Sequence, residues 1–152
     1  MRAVIDTNVV LDLFVFQDKR THFLHHCLQS RAVQWIATPP MREELRLVLA
    51  YPHIANKRQQ LNLQSKAVLA LFDAWVLLQP EAPKSVYTCK DADDQKFVDL
   101  AVSCCAVLVS KDKAVLCMRN RLAKLSVRVM SEFVLDLPDQ SALMDMSATT
   151  GR

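Results

Sequence analysis

Four carboxylates stand next to apolar runs in this chain, where side chains of distant segments could meet. Asp6 closes the run Ala3-Val4-Ile5, and Asp112 follows Ala106-Val107-Leu108-Val109-Ser110. Asp94 opens the helical pattern Phe97, Val98, Leu100, Ala101, while Glu44 lies early in the helix expected after the run 33–38. Short β-branched runs flanked by helical patterns predict a parallel sheet, and such sheets keep their chemistry just beyond the strands' carboxyl ends. Acids converging there would form an oxygen-only pocket suited to a hard divalent cation, Mg²⁺ or Mn²⁺. As pure architecture the cluster makes little sense, because four crowded carboxylates repel and raise one another's pKa unless a cation binds.

The elements that must position these acids follow from periodicity. A strand is expected over residues 2–5, then a helical pattern through Val9, Val10, Leu13 and Phe14, and a second helix over 20–30 carrying Phe23, Leu24, Cys27 and Leu28 on one face. Residues 33–37 read as a strand. Thr38 reads as an N-cap with Pro39 and Pro40 tolerated in the first turn, and the helix stops near Pro52. One long helix is expected over 56–75, a short strand over 75–78, and a loop over 80–89 delivering Asp91-Ala92-Asp93-Asp94. A helix over 94–105, a strand over 106–110, a helix over 113–122 and a last strand over 127–130 complete the pattern. The alternation indicates one three-layer α/β/α domain with a mostly parallel central sheet over residues 1–135, followed by a flexible tail over 136–152. The apolar stripes Leu45-Val48-Leu49 and Leu61-Leu69-Phe72 serve either as core or as a groove for a partner helix or second copy. Trp35, Trp75, Phe14, Phe72 and Phe97 sit at core positions rather than as a base-stacking platform.

Composition narrows the field. The chain has 152 residues and 51% hydrophobic content, enough for a proper core, and a net charge of only +3, so any nucleic-acid binding must come from local clustering. Such a cluster exists over residues 111–128, where Lys111, Lys113, Arg119, Arg121, Lys124 and Arg128 are opposed by Asp112 alone. A solvated helix face is the bland reading of this run; its place directly after an acid favours phosphate contact. The only glycine is Gly151, which excludes a P-loop and a GxGxxG dinucleotide turn. Cys27, Cys89, Cys104, Cys105 and Cys117 form no zinc-type pair, and with Cys27, Cys104 and Cys117 in helical or apolar patterns they read as buried thiols of a reducing cytosol. His22 and His26, at i and i+4, read as surface residues rather than metal ligands. No signal-peptide pattern opens the chain and no apolar stretch reaches the roughly 18 residues of a membrane span, so a cytoplasmic protein is expected.

Val4-Ile5-Asp6-Thr7-Asn8-Val9-Val10 resembles the opening of PIN-domain nucleases. The likeness continues in family order through Pro40-Met41-Arg42-Glu43-Glu44-Leu45-Arg46-Leu47-Val48-Leu49, Lys90-Asp91-Ala92-Asp93-Asp94-Gln95-Lys96-Phe97-Val98, Leu108-Val109-Ser110-Lys111-Asp112-Lys113 and Val129-Met130-Ser131-Glu132-Phe133-Val134. The subgroup it resembles is the bacterial VapC-like toxin component of type II toxin–antitoxin systems. By that resemblance Asp6, Glu44, Asp94 and Asp112 are the catalytic, metal-holding acids, with Asn8 and Ser110 as polar neighbours that orient them. Glu44 precedes Leu-Arg-Leu-Val-Leu as the family glutamate precedes its own pattern, which favours it over Glu43. Asp94 matches the family spacing to Ala101, leaving Asp93 in a supporting role. Two departures stand out: Lys111 occupies a usual glycine position, and Ala92 a usual proline position.

The resemblance implies an Mg²⁺- or Mn²⁺-dependent endoribonuclease acting on single-stranded RNA, restrained by a cognate antitoxin and forming a homodimer. Lys111, Lys113, Arg119 and Arg121 are then the expected RNA contacts. Metal-assisted cleavage, with one ion or with two about 3.5–4 Å apart, needs no protein nucleophile and suits a chain without an obvious catalytic histidine. A haloacid-dehalogenase-type phosphatase is disfavoured because that chemistry wants a second aspartate where Asn8 stands. A non-catalytic PIN-like module binding RNA or protein is the alternative, and it draws on Lys111.

Overall fold

The run Ala3-Val4-Ile5 is buried on both faces, and the strand it forms, β1 (Arg2–Ile5), is the middle of the sheet. In the computed structural model, which describes residues 1–135, β1 lies between β2 (Gln34–Ala37) and β4 (Val107–Val109), with β3 (Val76–Leu78) and β5 (Val129–Met130) at the edges. The order is β3-β2-β1-β4-β5 and every pairing is parallel. Parallel neighbours require crossovers over the faces of the sheet, and the covering helices explain why the central strands are apolar on both sides. The result is a three-layer α/β/α arrangement. The segment 136–152, expected to be a flexible tail, lies outside the described residues.

Helix α1 (Thr7–Leu11) follows β1 directly and runs into a π-helical turn, Asp12–Phe16, that periodicity did not reveal. After α2 (His22–Gln29) and β2, Pro39 and Pro40 open α3 (Pro39–Val48) as expected. Thr38 takes the N-cap backbone position, but its hydroxyl caps nothing and is buried without a partner.

The expected single helix over 56–75 is two helices, α4 (Pro52–Gln60) and α5 (Ser65–Trp75). Pro52 starts a helix rather than merely ending one. The break is a Schellman turn: Asn62 sits at φ 52, its N–H bonds Gln59 O at 3.1 Å, and Leu63 N–H bonds Arg58 O at 2.8 Å. Arg58 secures the turn by donating to Leu49 O at 2.9 Å and to Leu63 O at 3.2 Å.

Beyond α6 (Gln95–Cys104) and β4, the expected helix over 113–122 is likewise divided into α7 (Lys113–Leu116) and α8 (Arg119–Ala123). Met118, fully buried, turns between them at φ −90 and ψ 0, and both short helices pack on β5.

Trp35 anchors the core, with Phe14 at 6.0 Å and Phe72 at 5.1 Å between ring centroids. Leu45, Leu49 and Phe72 are buried and Val48 and Leu69 pack against them, so most of both apolar stripes is core; Leu61 alone of the six is exposed. Cys27 and Cys89 are buried and Cys104 is half-buried, but Cys105 and Cys117 are exposed, so the buried-thiol expectation fails at these two. Val115 and Met118 on either side of Cys117 take the buried face instead. Among the described residues no helix is long and apolar enough to cross a membrane.

Candidate metal centre

Two strand-to-helix junctions and the mouth of α6 deliver the acids to the carboxyl edge of the sheet. Asp6 follows β1 and extends its ladder, donating its N–H to Val109 O at 2.9 Å. Ser110 follows β4 and donates its own N–H to Met130 O at 2.9 Å. The Ser110 hydroxyl then ties the two junctions together. It donates to Asp6 Oδ2 at 2.6 Å and accepts from the Asp112 N–H at 3.1 Å. Asp112 caps α7 by accepting from Ala114 N–H at 2.8 Å. Asp94 ends the 3-10 turn Ala92–Asp94 at the mouth of α6, a turn capped in its turn by Asp91. Asp6, Asp94 and Asp112 each offer a carboxylate oxygen, all within 4.8 Å of one another.

Electrostatics make this cluster costly when empty of cations. Burial pushes the Asp6 carboxyl above its ordinary range; the Ser110 hydrogen bond pulls it down, and the charges of Glu44 and Asp112 push it up again. The Asp94 carboxyl is pushed up to about 8, chiefly by burial, then by its contact with the Asp112 carboxyl and by the charge of Asp6. Asp94 Oδ2 is buried and has no hydrogen-bond partner among the described residues. An unpartnered buried carboxylate oxygen beside two more carboxylates fits a hard divalent cation held by oxygen, and among the described residues the trio includes no thiol or imidazole of the kind zinc prefers.

Glu44, on α3, is not part of that trio but stands close enough to raise Asp6. Both its oxygens are taken: Thr7 Oγ1 donates to Oε2, and Lys96 Nζ lies 3.0 Å from Oε1. Glu43 instead accepts from Arg46 Nε at 2.8 Å on the exposed face of α3. Lys96 also donates to the backbone carbonyl of Asp93 and lies 4.9 Å from the centroid of the Phe97 ring. Thr7 and Lys96 were not assigned a role from the sequence. Thr7 stands inside the Asp-Thr-Asn opening and Lys96 two residues after Asp94, so adjacency to expected ligands was the only available signal.

The remaining expected site residues lie apart. Asn8 is exposed on α1 and makes no side-chain hydrogen bond among the described residues. Asp93 is exposed, and only its backbone carbonyl enters the network. Lys111 turns to Asp12 of the π-helical turn, with Nζ 2.6 Å from Oδ2, and its backbone is not among the left-handed positions. The turn that usually needs glycine is therefore made without positive φ. Lys113 and Arg119 are exposed, and Arg121 lies 5.9 Å from the Tyr87 ring centroid. His22 and His26 are exposed, while His25 packs edge-on against Trp75 at 5.1 Å.

Comparison with known proteins bears on this geometry. A family model described as PIN domain matches residues 2–114, the stretch holding all four acids, Thr7 and Lys96. A chain of the crystal structure of VapBC2 from Rickettsia felis bound to a DNA fragment from their promoter is similar in fold, with a TM-score of 0.58 at 13% identity over 85% of this chain and 98% of that one. A likeness at that identity is one of fold. No curated protein matches the chain.

Proposed function

We propose that this chain, which belongs to the PIN domain family, is a divalent-metal-dependent endoribonuclease that acts as the toxin of a toxin–antitoxin pair. One observation carries the catalytic part of the reading: the buried Asp94 Oδ2 has no partner among the described residues, and Asp94 belongs to a trio of carboxylates at the edge of a parallel sheet. PIN domains are generally nucleases, and an oxygen-only site at this edge is chemically suited to phosphodiester hydrolysis. Asp6, Asp94 and Asp112 would hold Mg²⁺ or Mn²⁺. Bound there, the ion supplies Lewis-acid polarisation of a phosphoryl oxygen and a lowered pKa for the attacking water.

The protein's own residues do the positioning. Ser110 fixes the Asp6 carboxylate and the Asp112 junction with one hydroxyl. Glu44, locked by Thr7 and Lys96, orients water at the rim of the trio. Lys113, Arg119 and Arg121 draw the RNA backbone towards the acids; Lys111, engaged by Asp12, ties the Asp112 loop to the π-helical turn instead. The non-catalytic alternative draws on Lys111, and that lysine pairs with Asp12 rather than with the trio.

The fold neighbour is a VapBC2 assembly bound to promoter DNA, which favours a restraining antitoxin for this chain too. An arginine of such a partner would satisfy the trio bidentately in place of metal. Cytoplasmic action and a homodimer complete the proposal, the latter to be read by light scattering.

Purified protein incubated with single-stranded RNA and Mn²⁺ tests the activity. Endonucleolytic cleavage by the wild type that disappears with Asp6→Asn is expected. Equal products from both proteins, or none from either, would overturn the assignment.

A further inference from the structure

We infer that Lys96 is the second cation of this pocket: the three aspartates take one divalent ion, and the lysine ammonium stands where a second ion would otherwise balance Glu44. The inference rests on the metal-dependent reading above and deepens it.

The argument is one of donors and charge. Glu44 has two carboxylate oxygens and both are occupied, one by the Thr7 hydroxyl and one by Lys96 at 3.0 Å. Neither is offered to the trio formed by Asp6, Asp94 and Asp112. With all four acids ionised, one divalent ion together with Lys96 leaves the pocket one charge negative; a second divalent ion would leave it positive and would have to displace the ammonium from Glu44. The displacement is opposed on several sides. Lys96 is held by the Asp93 backbone carbonyl as well as by Glu44, and it lies near the face of the fully buried Phe97 ring. Lys96 and Glu44 side chains are only 27% and 25% exposed, so water screens the pair weakly compared with a surface bridge.

An ammonium has three donors, and this one spends two on Glu44 and Asp93. The third is left for an incoming oxygen. A phosphodiester bringing its negative charge to a one-ion pocket would find there a fixed positive group that needs no recruitment from solution. Lys96 is thus a positioning residue for Glu44 and a charge-balancing one for the substrate.

Mn²⁺ titration of the full chain, read by calorimetry and by the electron paramagnetic resonance signal of free Mn²⁺, tests this without any activity measurement. The wild type is expected to bind one Mn²⁺ per chain. Lys96→Gln should bind two, because Glu44 is released to join the ligands. The double variant Lys96→Gln/Glu44→Gln should return to one. Lys96→Met replaces Lys96→Gln if circular dichroism shows the latter unfolded. Two ions in the wild type, or one in every variant, would overturn the inference while leaving a metal-dependent nuclease intact. No Mn²⁺ bound by any of them would sink the metal reading itself, and this inference with it.

Discussion

Asp94→Asn should make the metal-free protein progressively more stable than the wild type as pH rises above about 4. The Asp94 carboxyl is raised from 3.8 to about 8 in the folded chain. A folded-state pKa above the unfolded value means that the folded protein holds a proton the unfolded chain has released. Stability therefore falls as pH rises from about 4 through about 8, and the full cost is reached beyond that. Displacing the pKa by about four pH units corresponds to a ceiling of about 6 kcal/mol. Rearrangement and water drawn in past half-buried Asp112 reduce that, and we expect about 2–3 kcal/mol at pH 9. Asparagine keeps the shape and removes the charge. For a chain of this length the gain corresponds to a rise in Tm of roughly 5–10 °C. The assay is urea and thermal denaturation of both proteins in EDTA between pH 4 and pH 9, repeated with Mn²⁺. The curves should coincide near pH 4, separate steadily from there to about pH 8 and run parallel beyond it, and Mn²⁺ should then stabilise the wild type more than the variant. A difference independent of pH, or a variant less stable than the wild type at pH 9 in EDTA, would refute the account of Asp94 as a carboxyl held uncomfortably for a cation.

Ser110→Ala removes the hydroxyl that joins Asp6 to the Asp112 junction; it should cost about 1–3 kcal/mol in urea denaturation and weaken Mn²⁺ binding in calorimetry. Cys105→Gly relieves a non-glycine residue at φ 50 on the α6 C-terminus and should stabilise by about 1 kcal/mol; an unchanged denaturation midpoint would show that the turn is unstrained. Charge reversal at Arg119 and Arg121 together should weaken RNA binding and flatten the slope of log affinity against log salt by about one to two. An unaltered slope would return these side chains to an ordinary solvated face. Asp12→Asn, which breaks the pair with Lys111, should leave Mn²⁺ stoichiometry unchanged but lower thermal stability by about 1 kcal/mol, as measured by calorimetric scans.

What was legible in the sequence is what local pattern determines. The run before Asp6 and the run before Asp112 are too short and too β-branched for helices, so both acids had to sit at strand ends. The preference for Glu44 over Glu43 agrees with the direction each side chain takes, inward to Thr7 and outward to Arg46. Legibility failed where a single residue adopts an unusual backbone. In a chain whose lone glycine is Gly151, helix ends are made at Asn62, Cys105 and Ser126 in the left-handed region. Asparagine carries a weak hint of this; cysteine and serine carry almost none. An uninterrupted helix over 56–75 was the natural reading of the apolar stripe, and only the Schellman turn at Asn62 contradicts it. Lys96 was hidden for another reason: its partner Glu44 lies 52 residues away, and no spacing rule connects them.

The three aspartates share one feature that tells structure from function. Each occupies the residue immediately before a helix, where a carboxylate ordinarily accepts a backbone N–H and contributes roughly 1 kcal/mol. Asp112 does so and Asp6 does not, while Asp94 ends a 3-10 turn that Asp91 already caps. Asp94 also leaves an oxygen buried and unpartnered, which a folding domain would avoid if stability were the only demand on that side chain. One helix start, that of α1, is therefore left without a side-chain cap and one carboxylate is held at a cost, both at the same edge of the sheet. A loss of stability concentrated where three carboxylate oxygens lie within 4.8 Å of one another is better explained by a cation that collects them than by packing. The forgone cap at Asp6 and the unpartnered oxygen of Asp94 support that reading independently of family likeness, because they follow from where each carboxylate could have turned and did not.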